Sequence, residues 1–438
     1  MTLTLCAALL GPGLQPAAAQ PPLPELPSEH DLDAAMDDGA GAGTAQLSGL
    51  SLQAWGQHAI GRDDYASTSS VRGVVDYART WQVSPRWTAR LSNELDVVGG
   101  QAGPDRDTSH VINTLREAWA GWRSADAATQ YYIDMGRINV RHGVGSGYNP
   151  TDFFKRNAVN RAATTLDPGA LRENRMGTVM VRGQLIGERG AFMVGLAPRL
   201  AHERAPGDVG SDTSPALDRT NGRAAAYVKW APQLSERVSL DVLALGREHE
   251  RPQAGLNVSV LGGDAIVLNA EWSGARRVSL AGPGQGPVDA AWRNRAALNV
   301  VWTTPLGPEL TVERQYAGDA LGRAAWRDWR DVADPAAVRQ LLGMLEARQL
   351  EQEPLTRAAW FVRLHWRDAF SVRGFDVACF TQHSVYDGSA VSQASASGEL
   401  GARWRAGLLL AHYSGAATSE YGGSPVRTRL AAYLNYRF

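Results

Sequence analysis

The stretch Val426-Arg-Thr-Arg-Leu-Ala-Ala-Tyr-Leu-Asn-Tyr-Arg-Phe438 alternates with period two. Val426, Thr428, Leu430, Ala432, Leu434, Tyr436 and Phe438 fall on one face, and Arg427, Arg429, Asn435 and Arg437 on the other. A strand that separates lipid from a watery lumen needs this division, with aromatics where it meets the interface. The last strand of a soluble sheet can alternate in the same way, so the remaining residues have to decide.

Composition points to strands as the only membrane-crossing element. A helical membrane protein needs runs of roughly 20 apolar residues, and the chain has none, with a mean hydropathy of -0.27. The 46 glycines suit many turns, and the 14 tryptophans suit an aromatic girdle as well as they would a soluble glycan-binding barrel. A net charge of -1 excludes a strongly basic nucleic-acid binder. Lysine is confined to Lys155 and Lys229. A GC-rich genome accounts for that bias without any selection for guanidinium chemistry.

From Leu47 onward, alternating segments are separated by connections that are in turn short and long. Short ones occur at Val83-Arg86, Ser124-Thr129, Gly187-Gly190, Ala231-Glu236, Gly262-Asp264, Thr304-Glu309, Arg367-Phe370 and Ser397-Leu400. Longer polar ones lie near 60–69, 99–109, 142–174, 200–222, 247–253, 276–292, 318–355, 384–388 and 414–425. Outer-membrane barrels have short periplasmic turns and longer extracellular loops. The expected fold is therefore all-β, a transmembrane antiparallel β-barrel of about 18 strands.

Individual strands show both faces. Trp360, Val362, Leu364 and Trp366 are expected toward lipid, with Phe361, Arg363, His365 and Arg367 toward the lumen. Ile266, Leu268, Ala270 and Trp272 alternate with Val267, Asn269, Glu271 and Ser273, and Leu310 and Val312 with Thr311, Glu313 and Gln315. A lipid-facing charge at mid-bilayer costs about 2–4 kcal/mol, so the charged faces point inward. Arg116 and Asp376 do not fit the simple register and mark candidate bulges.

The two ends carry processing and assembly signals. Leu3–Leu10 is apolar and Ala17-Ala18-Ala19 is a small-residue cleavage site, so residues 1–19 are expected to be a secretory signal, although the positive n-region is missing. Cleavage would leave Cys379 as the only cysteine and no disulfide framework. Residues 20–46, rich in Pro, Asp, Gly and Ala, read as a disordered periplasmic linker, with the barrel at 47–438. No passenger or plug domain is expected before the barrel. Leu430, Leu434, Tyr436 and Phe438 form a terminal pattern resembling the signal read by the outer-membrane barrel assembly machinery, an expected partner.

The most distinctive segment is Gly136-Arg-Ile-Asn-Val-Arg-His-Gly-Val-Gly-Ser-Gly-Tyr-Asn-Pro-Thr-Asp-Phe-Phe154. It begins as a strand with Arg137, Asn139 and Arg141 expected inward, then enters a Gly-rich loop with an Asn-Pro turn. Gly136-Arg137, Asn149-Pro150-Thr151-Asp152 and Arg172-Glu173-Asn174-Arg175 resemble motifs of the alginate-export porin family and its relatives. The resemblance implies an outer-membrane channel and does not identify alginate as cargo.

Between positions 137 and 175 the basic residues are Arg137, Arg141, Lys155, Arg156, Arg161, Arg172 and Arg175, against Asp152, Asp167 and Glu173, an excess of four positive charges. Rings of basic residues favour anions, and a narrow low-dielectric passage strengthens their field. Loop 142–174 is accordingly expected to constrict the pore. Its lining residues would be Arg137, Asn139, Arg141, Asp152, Lys155, Arg156, Arg172, Glu173 and Arg175, with Arg363 and His365 on the wall. A solvated loop that binds only water or lipopolysaccharide phosphates is the plain alternative. In loop 318–355, Asp334-Pro335 followed by Val338, Leu341, Leu342 and Leu345 predicts a helix, either a lid or a rim packing element.

Catalytic signals are weak. His383-Ser384 and Ser109-His110 are neighbours on opposite strand faces, whereas a nucleophile and its base must share one face. His30, His58 and His142 lack metal-ligand spacing, so neither metal nor cofactor is expected. The expected protein is a non-enzymatic outer-membrane channel for an anionic small molecule or polysaccharide, embedded in outer-membrane lipid and lipopolysaccharide. A structural or adhesive closed barrel and an outer-membrane hydrolase are the alternatives.

Overall fold

The computed structural model describes residues 49–63, 65–101, 107–124, 129–160, 163–203, 213–285, 288–332 and 334–438. The signal and linker expected at 1–46 lie outside the described residues, as does Arg161.

Eighteen strands form one antiparallel sheet. They are β1 Leu50–Gly61, β2 Thr68–Ser84, β3 Trp87–Gln101, β4 Asp107–Arg123, β5 Gln130–Ile138, β6 Thr178–Gly187, β7 Gly190–Ala197, β8 Ala225–Ser235 and β9 Val238–Arg247. The second half comprises β10 Gln253–Leu261, β11 Ile266–Ser279, β12 Val288–Thr303, β13 Glu309–Ala317, β14 Ala358–Trp366, β15 Phe375–Ser384, β16 Ala390–Glu399, β17 Trp404–Ser414 and β18 Val426–Arg437. Each strand pairs with its chain neighbours, and β1 pairs with β18 from Ser51↔Arg437 to Ile60↔Thr428. Closure leaves no sheet edge, which a lipid environment demands because unpaired backbone groups there find no water.

The alternation follows from the two solvents. In β18, Leu430 and Leu434 are exposed outward, as is Phe438 just past its end, whereas Ala431 and Asn435 are buried. In β13, Val312 is exposed while Thr311, Glu313 and Gln315 are buried, and in β14 Trp360 is exposed and Phe361 fully buried. Among the described residues no helix is long and apolar enough to cross a membrane.

Arg116 is the extra residue of a bulge. Ser92 pairs with Glu117 and Asn93 with Leu115, so Arg116 has no opposite number and the alternation inverts around it. Both Arg116 and Glu117 thereby reach lumen partners: Arg116 bonds Asp76 and Asn174, and Glu117 accepts from Arg90 at 2.6 Å. Asp376 needs no bulge. It shares the inward face with Phe380 and pairs with Arg405.

Two expected turns lie elsewhere. β8 continues through Pro232 to Ser235, and β16 reaches Glu399 before β17 begins at Trp404. The loop expected at 276–292 is shorter, because β11 extends to Ser279 and β12 starts at Val288. Polar residues there stay in the ladder because one strand face is wet, so charge does not mark a strand end.

The wall has uneven height. β5, β6 and β7 have 9, 10 and 8 residues, against 17, 15 and 17 for β2, β3 and β4. Two long connections join these short strands, with 139–160 and 163–177 described in the first and 198–203 and 213–224 in the second. They carry short helices α1 (Pro168–Glu173) and α2 (Leu217–Thr220).

Connection 318–357 carries α3 (Arg323–Arg330) and α4 (Pro335–Glu351). The Asp334 carboxylate accepts from Ala337 N at 3.2 Å, which caps α4. Leu341 and Leu345 pack on Leu321, Trp326, Trp329 and Leu355. Val338 and Leu342, expected on the same apolar stripe, are exposed. The helix α3 that supplies both buried tryptophans had no forecast from the sequence.

Candidate functional site

Connection 139–177 folds into the barrel, and three kinds of contact hold it there. The first is apolar. Ile138, Met180, Met193, Tyr227, Leu243 and Leu245 form a patch on the lumen face of β5 to β9, and Phe153 and Phe154 cover it. Phe154 meets the Tyr227 ring edge-on at 5.2 Å. Each buried phenylalanine contributes about 1.5–3 kcal/mol.

The second is a pair of wall carboxylates cradled by backbone. Glu271 of β11 accepts from Val144 N and Gly145 N at 2.9 Å each, from Thr151 N at 2.6 Å and from Thr151 Oγ1 at 2.8 Å. Glu313 of β13 accepts from Ser146 N at 2.7 Å, Gly147 N at 3.2 Å and Tyr148 N at 2.9 Å. Consecutive N–H groups aimed at one anion form a nest. Glycine is required at two points. Gly143 has φ +102° and a Cβ there would lie 2.6 Å from Glu271 Oε1, while a Cβ on Gly147 would lie 2.5 Å from the Phe361 ring.

The third is internal. Arg175 makes a bidentate pair with Asp152 at 2.8 and 2.9 Å, donates to Asn139 Oδ1 at 2.9 Å and to the Val140 carbonyl at 2.6 Å. Burial raises the Asp152 carboxyl, but Arg175 and Arg172 outweigh it and hold it below the ordinary carboxylate range. Arg172 donates to the His142 carbonyl at 2.8 Å.

Further along, the loop reaches other walls. Asn160 donates to Glu94 at 2.7 Å, Leu166 N to Gln393 at 2.7 Å, and Arg363 pairs with Asp167 at 3.2 Å. Contacts with β3, β11, β13, β14 and β16 mean that the segment spans the lumen.

A cavity of about 790 Å³ lies between this loop, the upper ends of β9 to β12 and α4. It is lined by Lys155, Arg156, Arg247, Arg251, Arg276, Arg277, Arg295 and Arg348 against Asp152, Glu250, Asp319, Glu351 and Glu353, an excess of three positive charges. Glu353 gathers the parts: it accepts from Tyr148 Oη at 2.7 Å and Arg295 at 2.6 Å, and pairs with Lys155 at 3.0 Å. Asp319 takes Arg295 at 2.8 Å and Arg348 of α4 at 2.9 Å. Burial raises both carboxyls. For Asp319 the Arg295 and Arg348 guanidinium groups outweigh it, for Glu353 the Arg295 guanidinium and the Lys155 ammonium do, and both end lowered.

The residues expected at the constriction divide into groups. Asn139, Asp152 and Arg175 are buried in the loop's internal lock, and Arg172 binds that lock from half-exposed ground. Lys155 and Arg156 line the cavity. Arg141 is half-buried, Glu173 is exposed at the end of α1, and Arg363 and His365 lie half-buried on the lumen face of β14. Arg137 corrects the expectation. It pairs with Ala118 and Val179 on the outward face, and its guanidinium donates to the carbonyls of Gly177 at 2.9 Å and Pro215 at 2.5 Å and to Thr220 Oγ1 at 3.0 Å. Only 2% exposed, it clamps two loops together and stands out of the lumen.

Glu271, Glu313, Arg295, Asp319 and Glu353 complete the site, and the sequence did not single them out for it. Their only signal was position: Glu271 and Glu313 stood on expected lumen faces, each a lone acid among apolar and amide neighbours.

A closed, even-stranded antiparallel barrel with an apolar outer face and a polar lumen crossed by a loop is a bacterial outer-membrane β-barrel of porin-like architecture. No protein-family model matches the chain. No curated protein matches it either. Among solved structures it is similar to Pseudomonas aeruginosa OccK7 (OpdD), with 14% identity, a TM-score of 0.47, and coverage of 89% of this chain and 98% of that one. It is also similar to P. aeruginosa OccK2 (OpdF) in complex with glucuronate, at 10% identity, TM-score 0.46, and 90% and 99% coverage. Acinetobacter baumannii OccAB4 has 6% identity, TM-score 0.46, and 90% and 99% coverage.

Proposed function

We propose that the barrel is a channel through which a hydrophilic, anionic solute or polymer crosses the outer membrane down its gradient. The observation that carries this is the loop 139–177 lying across the lumen beneath a cavity with three positive charges in excess. In a confined low-dielectric space such an excess concentrates anions. A passive pore of this kind serves uptake and export alike. The resemblance of its short motifs to those of alginate-export porins adds a polysaccharide to the candidate cargoes.

A closed structural or adhesive barrel is the second reading, favoured by the number of wall groups that fasten the loop. The hydrolase reading has less support: His383 is exposed, while the adjoining Ser384 is fully buried on the other face of β15. Planar-bilayer recording separates the first two. Stepwise insertion events with an anion-selective reversal potential in a salt gradient are expected. Folded protein without current would favour the closed barrel, and cation selectivity would refute the anionic cargo.

A further inference from the structure

On the outer wall, facing lipid rather than the lumen, we infer that Arg314, Tyr316 and Trp360 form a site for a phosphate group of lipopolysaccharide. In β13, Val312 and Tyr316 are exposed outward while Thr311, Glu313 and Gln315 are buried, so Arg314 falls on the lipid face. It stands directly between Leu298 of β12 and Trp360 of β14, which are 60% and 44% exposed. A charge on that face is costly in hydrocarbon. Arg314 is three residues from the end of β13 at Ala317, and the irregular backbone of connection 318–357 beyond it has to lie outside the hydrocarbon. A long arginine side chain therefore reaches the polar boundary.

The Arg314 guanidinium lies 5.1 Å from the centroid of the Trp360 ring and donates through Nη1 to the Ala359 carbonyl at 3.1 Å. Among the described residues no acid pairs with it, and the outward faces of β13, β14 and β12 between Trp292 and Trp302 carry none. A second copy of the chain applying this same face would bring no counter-charge, whereas the outer leaflet offers lipopolysaccharide phosphates at the polar boundary. Aromatic placement is the independent observation. On β12 the exposed Trp302 and Trp292 are ten residues apart, about 34 Å along the strand and about 25 Å in height at a tilt of about 40°. That separation matches the apolar band of such barrels, so Trp292 marks the outer boundary. Arg276 of β11, opposite Trp292, is a further exposed outward cation without an ion pair among the described residues. A guanidinium with one face on an indole and its edge free holds a phosphate through parallel N–H donors, and Tyr316, next on the same face, adds a hydroxyl.

The test uses the folded full-length barrel in neutral detergent, titrated with lipopolysaccharide and with the same lipid stripped of its phosphates, bound lipid being counted by native mass spectrometry. Saturable binding of the intact lipid is expected, and binding about tenfold weaker or less once it is dephosphorylated. Arg314→Gln should weaken binding of the intact lipid by about tenfold, as loss of a charged hydrogen bond implies, and Arg314→Lys by a smaller factor. Arg79→Gln is the control. That outward arginine lies 5.9 Å from the Trp81 ring toward the short-turn end of β2, and its loss should leave binding unchanged. Heat-dependent gel mobility reports that each variant is folded, and conductance should equal that of wild type because Arg314 stands outside the lumen. Equal affinity for the dephosphorylated lipid, unchanged affinity in Arg314→Gln, or an equal loss in Arg79→Gln would overturn the site. Dimers in lipid-free detergent that Arg314→Gln abolishes would also overturn it, by assigning this face to a second copy of the chain.

Discussion

Glu313 and Glu271 each replace, for several loop N–H groups, the water those groups lose on entering the barrel. Removing one carboxylate therefore strands buried donors, at about 1–3 kcal/mol apiece. Glu313→Ala is expected to free the segment around Tyr148 and give a larger, noisier single-channel conductance, read in planar bilayers. A conductance trace identical to wild type would show that other contacts hold the loop alone. Arg175→Ala leaves the fully buried Asp152 without its bidentate partner, a loss of about 3–5 kcal/mol. Because Asp152 titrates lower in the folded protein than in the unfolded chain, its contribution is present above the ordinary carboxylate range and disappears as pH falls through the depressed folded value. The loop should stay locked near neutrality and release only in strong acid, visible as an acid-triggered step in conductance. Arg137→Gln, in contrast, is expected to lower thermal stability without moving the reversal potential, because that guanidinium binds carbonyls outside the lumen.

Among elements, the inserted loop depends on a low wall as much as on its own sequence. The short strands β5, β6 and β7 leave an opening above them, and the apolar patch on β5 to β9 gives Phe153 and Phe154 a surface to cover. Truncating both rings (Phe153→Ala with Phe154→Ala) should cost about 3–5 kcal/mol each in the loop's docked state. Conductance should rise while the barrel itself persists, as judged by the heat-dependent gel mobility of folded barrels. Loss of the folded barrel in this variant would mean that the patch belongs to the wall's stability rather than to the loop. α4 is tied to the same loop through Arg348, Asp319, Arg295 and Glu353. Its helical spacing was readable from Asp334 and the leucines, but its orientation was not: α3 contributes the tryptophans that choose which leucines are covered.

For the whole molecule, a closed sheet with a charged interior places its selectivity in a field rather than in one contact. Raising ionic strength from about 0.1 to 1 M shortens the screening length from about 10 to 3 Å. Anion selectivity, measured as reversal potential at a fixed salt ratio, is expected to fall over that range. Selectivity that persists unchanged at high salt would point to close-range recognition at bound arginines alone.

The sequence by itself determined the barrel, its strand number and most strand faces, because lipid outside and water inside impose period two on every crossing segment. The faces of β18, β14 and the Glu271 and Glu313 positions all follow from that local rule. Tertiary structure decided the rest. The bulge at Arg116 inverts a face for reasons set by its partner β3, and the ladder of β5 ends at Ile138, so Asn139 and Arg141 leave the sheet while Arg137 keeps the outward face it shares with the exposed Ile133 and Met135. The partners of the Gly-rich loop come from strands more than a hundred residues away, and no spacing rule along the chain encodes which wall a folded-in loop will touch.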